Sequence, residues 1–215
     1  MQKIVRRTLV ISAFCFCACK KDGIDPFSIK GKITDFGTGS GLSGASVKVE
    51  TQAVQNSVYS NTYERALTTT TGGDGHFEGS WERETFTSIK LLAEKTSYIP
   101  IDIELNEQEI GSGEISKNLT MYREAFASLR FVHSGLNAND RISFNYSNTN
   151  FDCACCKPGW KTITGNLIDT TFSCKVYGDH WLVYEVLTQI NDVDSSFTDS
   201  LFCPAFIETS KLISL

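Results

Sequence analysis

Cys153-Ala154-Cys155-Cys156 puts three thiols within four residues, and Cys174 and Cys203 follow at longer intervals. Thiols at this density can do three kinds of chemistry. Four of the five can hold Zn²⁺ tetrahedrally. Cys153 and Cys156 have the C-x-x-C spacing of thiol–disulfide exchange, which needs a strand leading into a helix start. Oxidised in pairs, the same residues staple a fold together. Lys157-Pro158-Gly159 follows the cluster and reads as a turn, not a helix start. The staple reading therefore leads. Cys174 and Cys203 each share a strand face with apolar residues, so both are expected to point inward. Either the Asp152–Trp160 loop is stapled to these two strands by two of its own cysteines, or Cys174 pairs with Cys203. The second arrangement closes a loop of about 30 residues and contributes roughly 3–4 kcal/mol. Spacing does not fix the connectivity, and five is odd, so one thiol stays free or pairs with another molecule.

The remaining candidates for chemistry are sparse. His76, His133 and His180 are far apart in sequence. Asp179-His180 is two-thirds of a triad without a G-x-S-x-G or comparable nucleophile. Asp192-x-Asp194-x-Ser196 begins like a Ca²⁺ loop but lacks the Gly and the distal Glu, and reads as an acidic turn. There is no H-E-x-x-H, P-loop or dinucleotide fingerprint. No catalytic residue, metal or cofactor is expected. Among the tryptophans, Trp81 and Trp181 are expected in the core. Trp160, beside Gly159 in the cysteine loop, is the one expected to be exposed as a ligand contact.

The elements that must position these residues are strands. Ile29, Gly31 and Ile33 alternate with polar residues, as do Val47 and Val49, and Phe77, Gly79 and Trp81. A period of two marks half-buried strands. Seven are expected, near 28–35, 45–51, 65–71, 76–82, 87–94, 99–105 and 115–122. Thr51–Tyr63 reads as a long polar connection, and Gly72-Gly73-Asp74-Gly75 as a hairpin turn. The order Gly31-Lys32-Ile33-Thr34-Asp35, a Gly-rich loop, Gly44-Ala45-Ser46-Val47-Lys48-Val49, then Thr69-Thr70-Thr71-Gly72-Gly73-Asp74-Gly75-His76-Phe77 resembles the carboxypeptidase regulatory-like family. That resemblance covers roughly residues 27–122. It implies a transthyretin-like (prealbumin-like) β-sandwich, usually an accessory module without catalytic residues. Gly41 stands where the family usually has Pro, and Gly72 where it usually has Asp.

Beyond Ala125 further alternating runs predict a second antiparallel β-domain. They include Leu129, Phe131 and His133, Ile142, Phe144 and Tyr146, and then 161–168, 171–177, 181–190, 197–203 and 206–214. The two halves do not read as repeats, because the Gly motif and the cysteine set each occur once. No amphipathic helix stands out. The expectation is an all-β chain with a sandwich at 29–122 and a cysteine-containing β-domain at 125–215.

The first residues give an address. Lys3, Arg6 and Arg7 precede a short apolar run too brief to span a bilayer. Phe16-Cys17-Ala18-Cys19 resembles a bacterial lipobox, and Lys20-Lys21-Asp22 resembles the start of many Bacteroidota lipoproteins. The resemblance implies a signal peptide at 1–18, lipid on Cys19, a tether at 19–28 and a place in the cell envelope, on the outer membrane. Asp169-Thr170-Thr171 and Asp199-Ser200-Leu201 resemble the O-glycosylation tripeptides of such exported proteins. The chain carries a net charge of −5, and removal of 1–18 makes it more acidic. This argues against nucleic-acid partners. The expected partners are a membrane, through Cys19, and a glycan, peptide or envelope protein. The leading expectation is a non-catalytic binding or scaffolding module. The alternatives are a carbohydrate- or peptide-binding accessory protein of an outer-membrane uptake system, and a metal- or thiol-dependent enzyme built on Cys153 and Cys156.

Overall fold

Two separate sets of buried apolar side chains organise the molecule, one drawn from residues 27–121 and one from 125–213. The computed structural model describes residues 25–55, 58–59, 61–111, 113–134, 137, 140–147, 155, 157, 159–165 and 167–215. The first half contains β1 (Phe27–Asp35), β2 (Ser46–Gln55), β3 (Val58–Tyr59), β4 (Glu64–Thr70), β5 (His76–Trp81), β6 (Phe86–Glu94) and β7 (Ile101–Leu105). A one-turn helix α1 (Glu107–Ile110) and two short strands, β8 (Glu114–Ser116) and β9 (Leu119–Met121), complete it. The second half contains β10 (Glu124–Ser134), β11 (Arg141–Tyr146), β12 (Lys161–Thr164), β13 (Leu167–Tyr177), β14 (His180–Ile190), β15 (Val193–Cys203) and β16 (Glu208–Ser214). Among the described residues the structure is all-β apart from α1.

In the first half one sheet runs β5-β1-β8, with β9 continuing beside β1, and the other runs β4-β2-β6-β7, with β3 on the far end of β2. Ile29 and Ile33 on β1 and Val47 and Val49 on β2 are fully buried between the sheets. The Gly-rich segments lock this sandwich at one end. The Leu42 N–H donates to the Ile33 carbonyl (2.8 Å), and the Ile33 N–H to the Gly75 carbonyl (2.9 Å). A Cβ on Gly41 would lie 1.8 Å from the Asp74 carbonyl oxygen. That close approach explains why Gly41 is found where the resemblance leads one to expect Pro.

The second half repeats the plan of the first. Its sheets run β13-β10-β16 and β12-β11-β14-β15. If strands are counted by position within each half (β8 and β9 as one position, β3 as an extension of β2), both halves read 4-1-7 in one sheet and 3-2-5-6 in the other. The directions also agree. Positions 1 and 7 run parallel in both, and the pairs 1–4, 2–3, 2–5 and 5–6 are antiparallel in both.

Several sequence expectations change on this fold. The second half is not purely antiparallel, because β16 returns beside β10 in parallel. The halves, unlike as sequences, are alike as topologies. The Thr51–Tyr63 segment is not a plain loop: β2 continues to Gln55 and pairs with β3. The expected strand at 115–122 is split at Lys117, and the one at 161–168 ends at Thr164.

Candidate functional site

The cysteine region comes first, since the sequence singles it out. Cys155 and Cys174 form a disulfide with Cα atoms 5.7 Å apart, within the range such a bond requires. It ties the segment after β11 to β13, which is one of the two staples of the first arrangement anticipated; the second, to Cys203, is not formed. Cys174 does not pair with Cys203. Cys203 is a free, fully buried thiol on β15, and burial pushes its thiol up from the ordinary value, so it stays protonated and a poor nucleophile. With Cys155 and Cys174 bonded to each other, four of the five thiols cannot gather on one metal ion. Among the described residues no three His, Cys, Asp or Glu side chains cluster as metal ligands. Cys19, Cys153 and Cys156 lie outside the described residues.

The histidines stay apart. His76 is exposed beside the Gly72–Gly75 turn. His133 Nδ1 meets the Leu215 carbonyl, and His180 Nδ1 lies 2.8 Å from the Gly178 carbonyl. Asp192 sits in the two-residue β14–β15 turn with Asn191; both have positive φ (61° and 51°), as a tight hairpin requires. Trp81 is buried and stacks on Phe27. Trp160 is exposed. Trp181 is also exposed, contrary to its expected place in the core: it lies out of phase with buried Leu182, Tyr184 and Val186 and packs against Phe202 on the outer face of its sheet.

A polar network of described residues lies where the halves meet, and nothing in the sequence pattern marks it. Arg123 stands in the short strap between β9 and β10. Its Nε donates to Asp35 Oδ2 (3.0 Å) at the end of β1, and its Nη1 to Asp179 Oδ2 (3.2 Å) between β13 and β14. Asp35 also accepts the Tyr98 hydroxyl (2.7 Å) and the N–H groups of Gly37 (2.7 Å) and Thr38 (3.2 Å). The Ala205 N–H donates to Asp179 Oδ1 (3.0 Å). Burial on its own would raise the Asp35 carboxyl, but Tyr98, Arg123 and the two backbone donors outweigh it and hold the group below the ordinary carboxylate value. Burial, then the hydrogen bond to Asp35 and its charge, raises the Tyr98 hydroxyl. The hydrogen bond to Asp35 raises Arg123.

Aromatic rings and backbone bonds complete the junction. Tyr122 stacks between Phe36 (centroids 4.4 Å apart) and Tyr177 (4.5 Å), and Phe206 meets both Tyr98 (5.8 Å) and the Arg123 guanidinium (5.7 Å). The strap is stitched to both halves: Ile99 N–H to the Tyr122 carbonyl (2.8 Å), Glu124 N–H to Ser97 (3.0 Å), Gly178 N–H to Arg123 (2.7 Å) and Phe206 N–H to Glu124 (2.7 Å). Chemically this is a clamp. Each charged group faces a partner, and none is poised to attack a substrate.

No protein-family model and no curated protein matches this chain. Among solved structures it is similar to the shaft pilin SpaA from Lactobacillus rhamnosus GG, at 9% identity and a TM-score of 0.35, over 88% of this chain and 98% of that one. It is also similar to a streptococcal ancillary pilin (11% identity, TM-score 0.32, 90% and 62% covered). A third similarity is to the Bacillus anthracis TIE protein (10%, 0.32, 87% and 34%). At these scores no residue role or activity passes from those proteins to this chain.

Proposed function

We propose that this chain is a non-catalytic cell-envelope module, held at the membrane by lipid on Cys19, in which two copies of one sandwich act as a single arm that scaffolds or presents a binding surface. The observation that carries the reading is the clamped tandem: the same seven-position topology occurs twice, joined by a strap whose backbone is bonded to both halves. Repeating one domain plan in series extends reach without a new fold, and a clamped junction transmits position where a flexible linker would not. The acidic composition and the lipobox-like Ala18-Cys19 support the envelope address.

Two measurements test this. The full chain expressed in a bacterium of the Bacteroidota and fed an alkyne fatty acid should be labelled and sediment with membranes, while Cys19→Ala should do neither. An unlabelled, soluble wild-type chain would refute the anchor. Limited proteolysis should spare the strap at Tyr122–Glu124 until one half is itself digested. Rapid cutting there, with release of two stable halves, would refute the arm.

A further inference from the structure

The two halves present the same sheet, 3-2-5-6, with opposite surface chemistry. On the first half its outer face is ordinary and charged: Lys48 pairs with Glu94 and Lys90 with Asp102. On the second half the Trp181 end of this face carries rings and small polar side chains, while Arg141 and Asp194 lie at its other end. Trp181 on β14 faces Phe202 on β15, ring centroids 5.3 Å apart, and they are 58% and 40% exposed. Large apolar rings exposed at that level on a sheet face call for an explanation. Across the same face Trp160 is 47% exposed. It is held at the start of β12 where the Gly159 N–H donates to Asn145 Oδ1 (3.0 Å).

The register gives the spacing. Lys161 lies opposite Phe144, which sets Trp160 opposite Asn145, and Asn145 lies opposite Glu185. Trp181 is four residues from Glu185 along β14. At ~3.4 Å per residue and ~4.8 Å per strand, the two tryptophans are separated diagonally by about 17 Å. That suits an extended chain of rings better than a single small molecule. The diagonal passes over Asn145, Glu185 and Val183, and Thr198 and Ser200 on β15 flank it on the way to Phe202; of these only Glu185 is charged.

We infer that this face is a binding site for an uncharged polysaccharide, with Trp160 and Trp181–Phe202 as stacking platforms and the hydroxyl and amide groups between them as hydrogen-bonding partners. The chemistry selects the occupant. Sugar rings offer apolar C–H faces for aromatic rings and hydroxyl edges for Asn, Ser and Thr. A strip whose one charge is a carboxylate, on a chain of net charge −5, disfavours a polyanion. The first half is the internal control, since the same sheet there keeps its ion pairs. The inference rests on the binding-module reading and gives it a ligand class.

The test is affinity electrophoresis of the full chain in detergent through gels containing soluble β-glucan, galactomannan or amylose, with polygalacturonate as the anionic comparison. At least one neutral polymer should retard the protein. Trp160→Ala and Trp181→Ala, on different strands, should each weaken retardation at least tenfold with unchanged circular dichroism. Thr198→Arg, at an exposed outer position, should do the same by blocking the strip. Three results would overturn the inference: no neutral polymer retards the chain, only polygalacturonate does, or retardation survives all three substitutions. Self-association abolished by Trp181→Ala would also overturn it, by making a second copy the occupant. None of these results bears on fatty-acid labelling or strap proteolysis, so the inference can fail while the anchored-arm reading stands.

Discussion

Replacing Arg123 with Ala should loosen the junction while leaving both cores intact. The side chain is 21% exposed, and its partner Asp35 is 8% exposed. Removing one member of a fully buried pair costs about 3–5 kcal/mol, mostly because the other charge is stranded. Asp35 is not stranded here, since the Tyr98 hydroxyl and the Gly37 and Thr38 N–H groups still point at it. The loss is therefore nearer that of one hydrogen bond between charged groups, about 2 kcal/mol. The second bond, to the more exposed Asp179, adds little. The ring contact with Phe206 contributes about 0.5 kcal/mol. At about 1.4 kcal/mol per factor of ten, 2 kcal/mol corresponds to roughly thirty-fold faster local opening. Hydrogen exchange reads it directly: the amides of Gly37, Gly178, Ala205 and Phe206 should exchange about thirty-fold faster, and those of Ile89 and Val186 in the two cores should not change. Arg123→Lys should recover only part of the protection, because a point charge cannot serve two carboxylates as the guanidinium fork does. Unchanged exchange at the junction amides in Arg123→Ala would refute the clamp, and equal acceleration in the cores would show that the substitution had unfolded the protein.

Three further outcomes follow from the same contacts. Asp35 has a folded value below its unfolded one, so its contribution is present above the unfolded value and is lost as pH falls through the folded value; junction protection in the wild type should drop as pH is lowered below about 4, and Asp35→Asn should flatten that dependence. Cys155→Ser should lower the stability of the second half by about 3 kcal/mol, the value for a loop of this order, with the first half's melting transition unmoved in calorimetry. The buried Cys203 should resist alkylation in the folded chain and react once denaturant is added; fast labelling of the native chain at Cys203 would contradict its burial.

Strands are legible wherever apolar residues alternate with polar ones, because burial of one sheet face imposes that period; Phe27–Asp35 and Leu182–Val186 are examples. The far end of β2 is not, since Gln52 and Gln55 carry no apolar signal, and the pairing with β3 that extends the strand has no sequence signature. The parity of Trp181 is readable, but its size is the louder cue, and size does not decide which face a residue occupies. The duplicated topology is invisible in the sequence because it resides in the order of strand pairing, which either half satisfies with different side chains. Arg123 escapes notice for a related reason: its partners lie 88 and 56 residues away, and a lone arginine between two β-rich segments has no local pattern to mark it. Asp35, by contrast, closes the Gly31–Asp35 motif on which the family resemblance rests, although the motif gives no hint that its last residue faces the other half.

Backbone strain points to the same place. Five described non-glycine residues have positive φ, and two of them, Asn191 and Asp192, belong to a tight hairpin. The other three, Ser97 (65°), Asp179 (60°) and Phe206 (66°), all sit at the junction. Asp tolerates this conformation, whereas a bulky aromatic residue does so at a cost of about 1–3 kcal/mol. Such a conformation persists only where its surroundings over-determine it. Here they do: the Phe206 N–H is bonded to Glu124, its ring to Tyr98 and Arg123, the Ser97 carbonyl accepts the Glu124 N–H, and the Asp179 carboxylate accepts from Arg123. Each of the three belongs to a turn within its own half, β6–β7, β13–β14 or β15–β16, and all three turns meet the strap. In the proposed arm these turns and the strap, bonded to one another, would hold the two sandwiches in one relation and so carry the Trp160–Trp181 face in a fixed orientation.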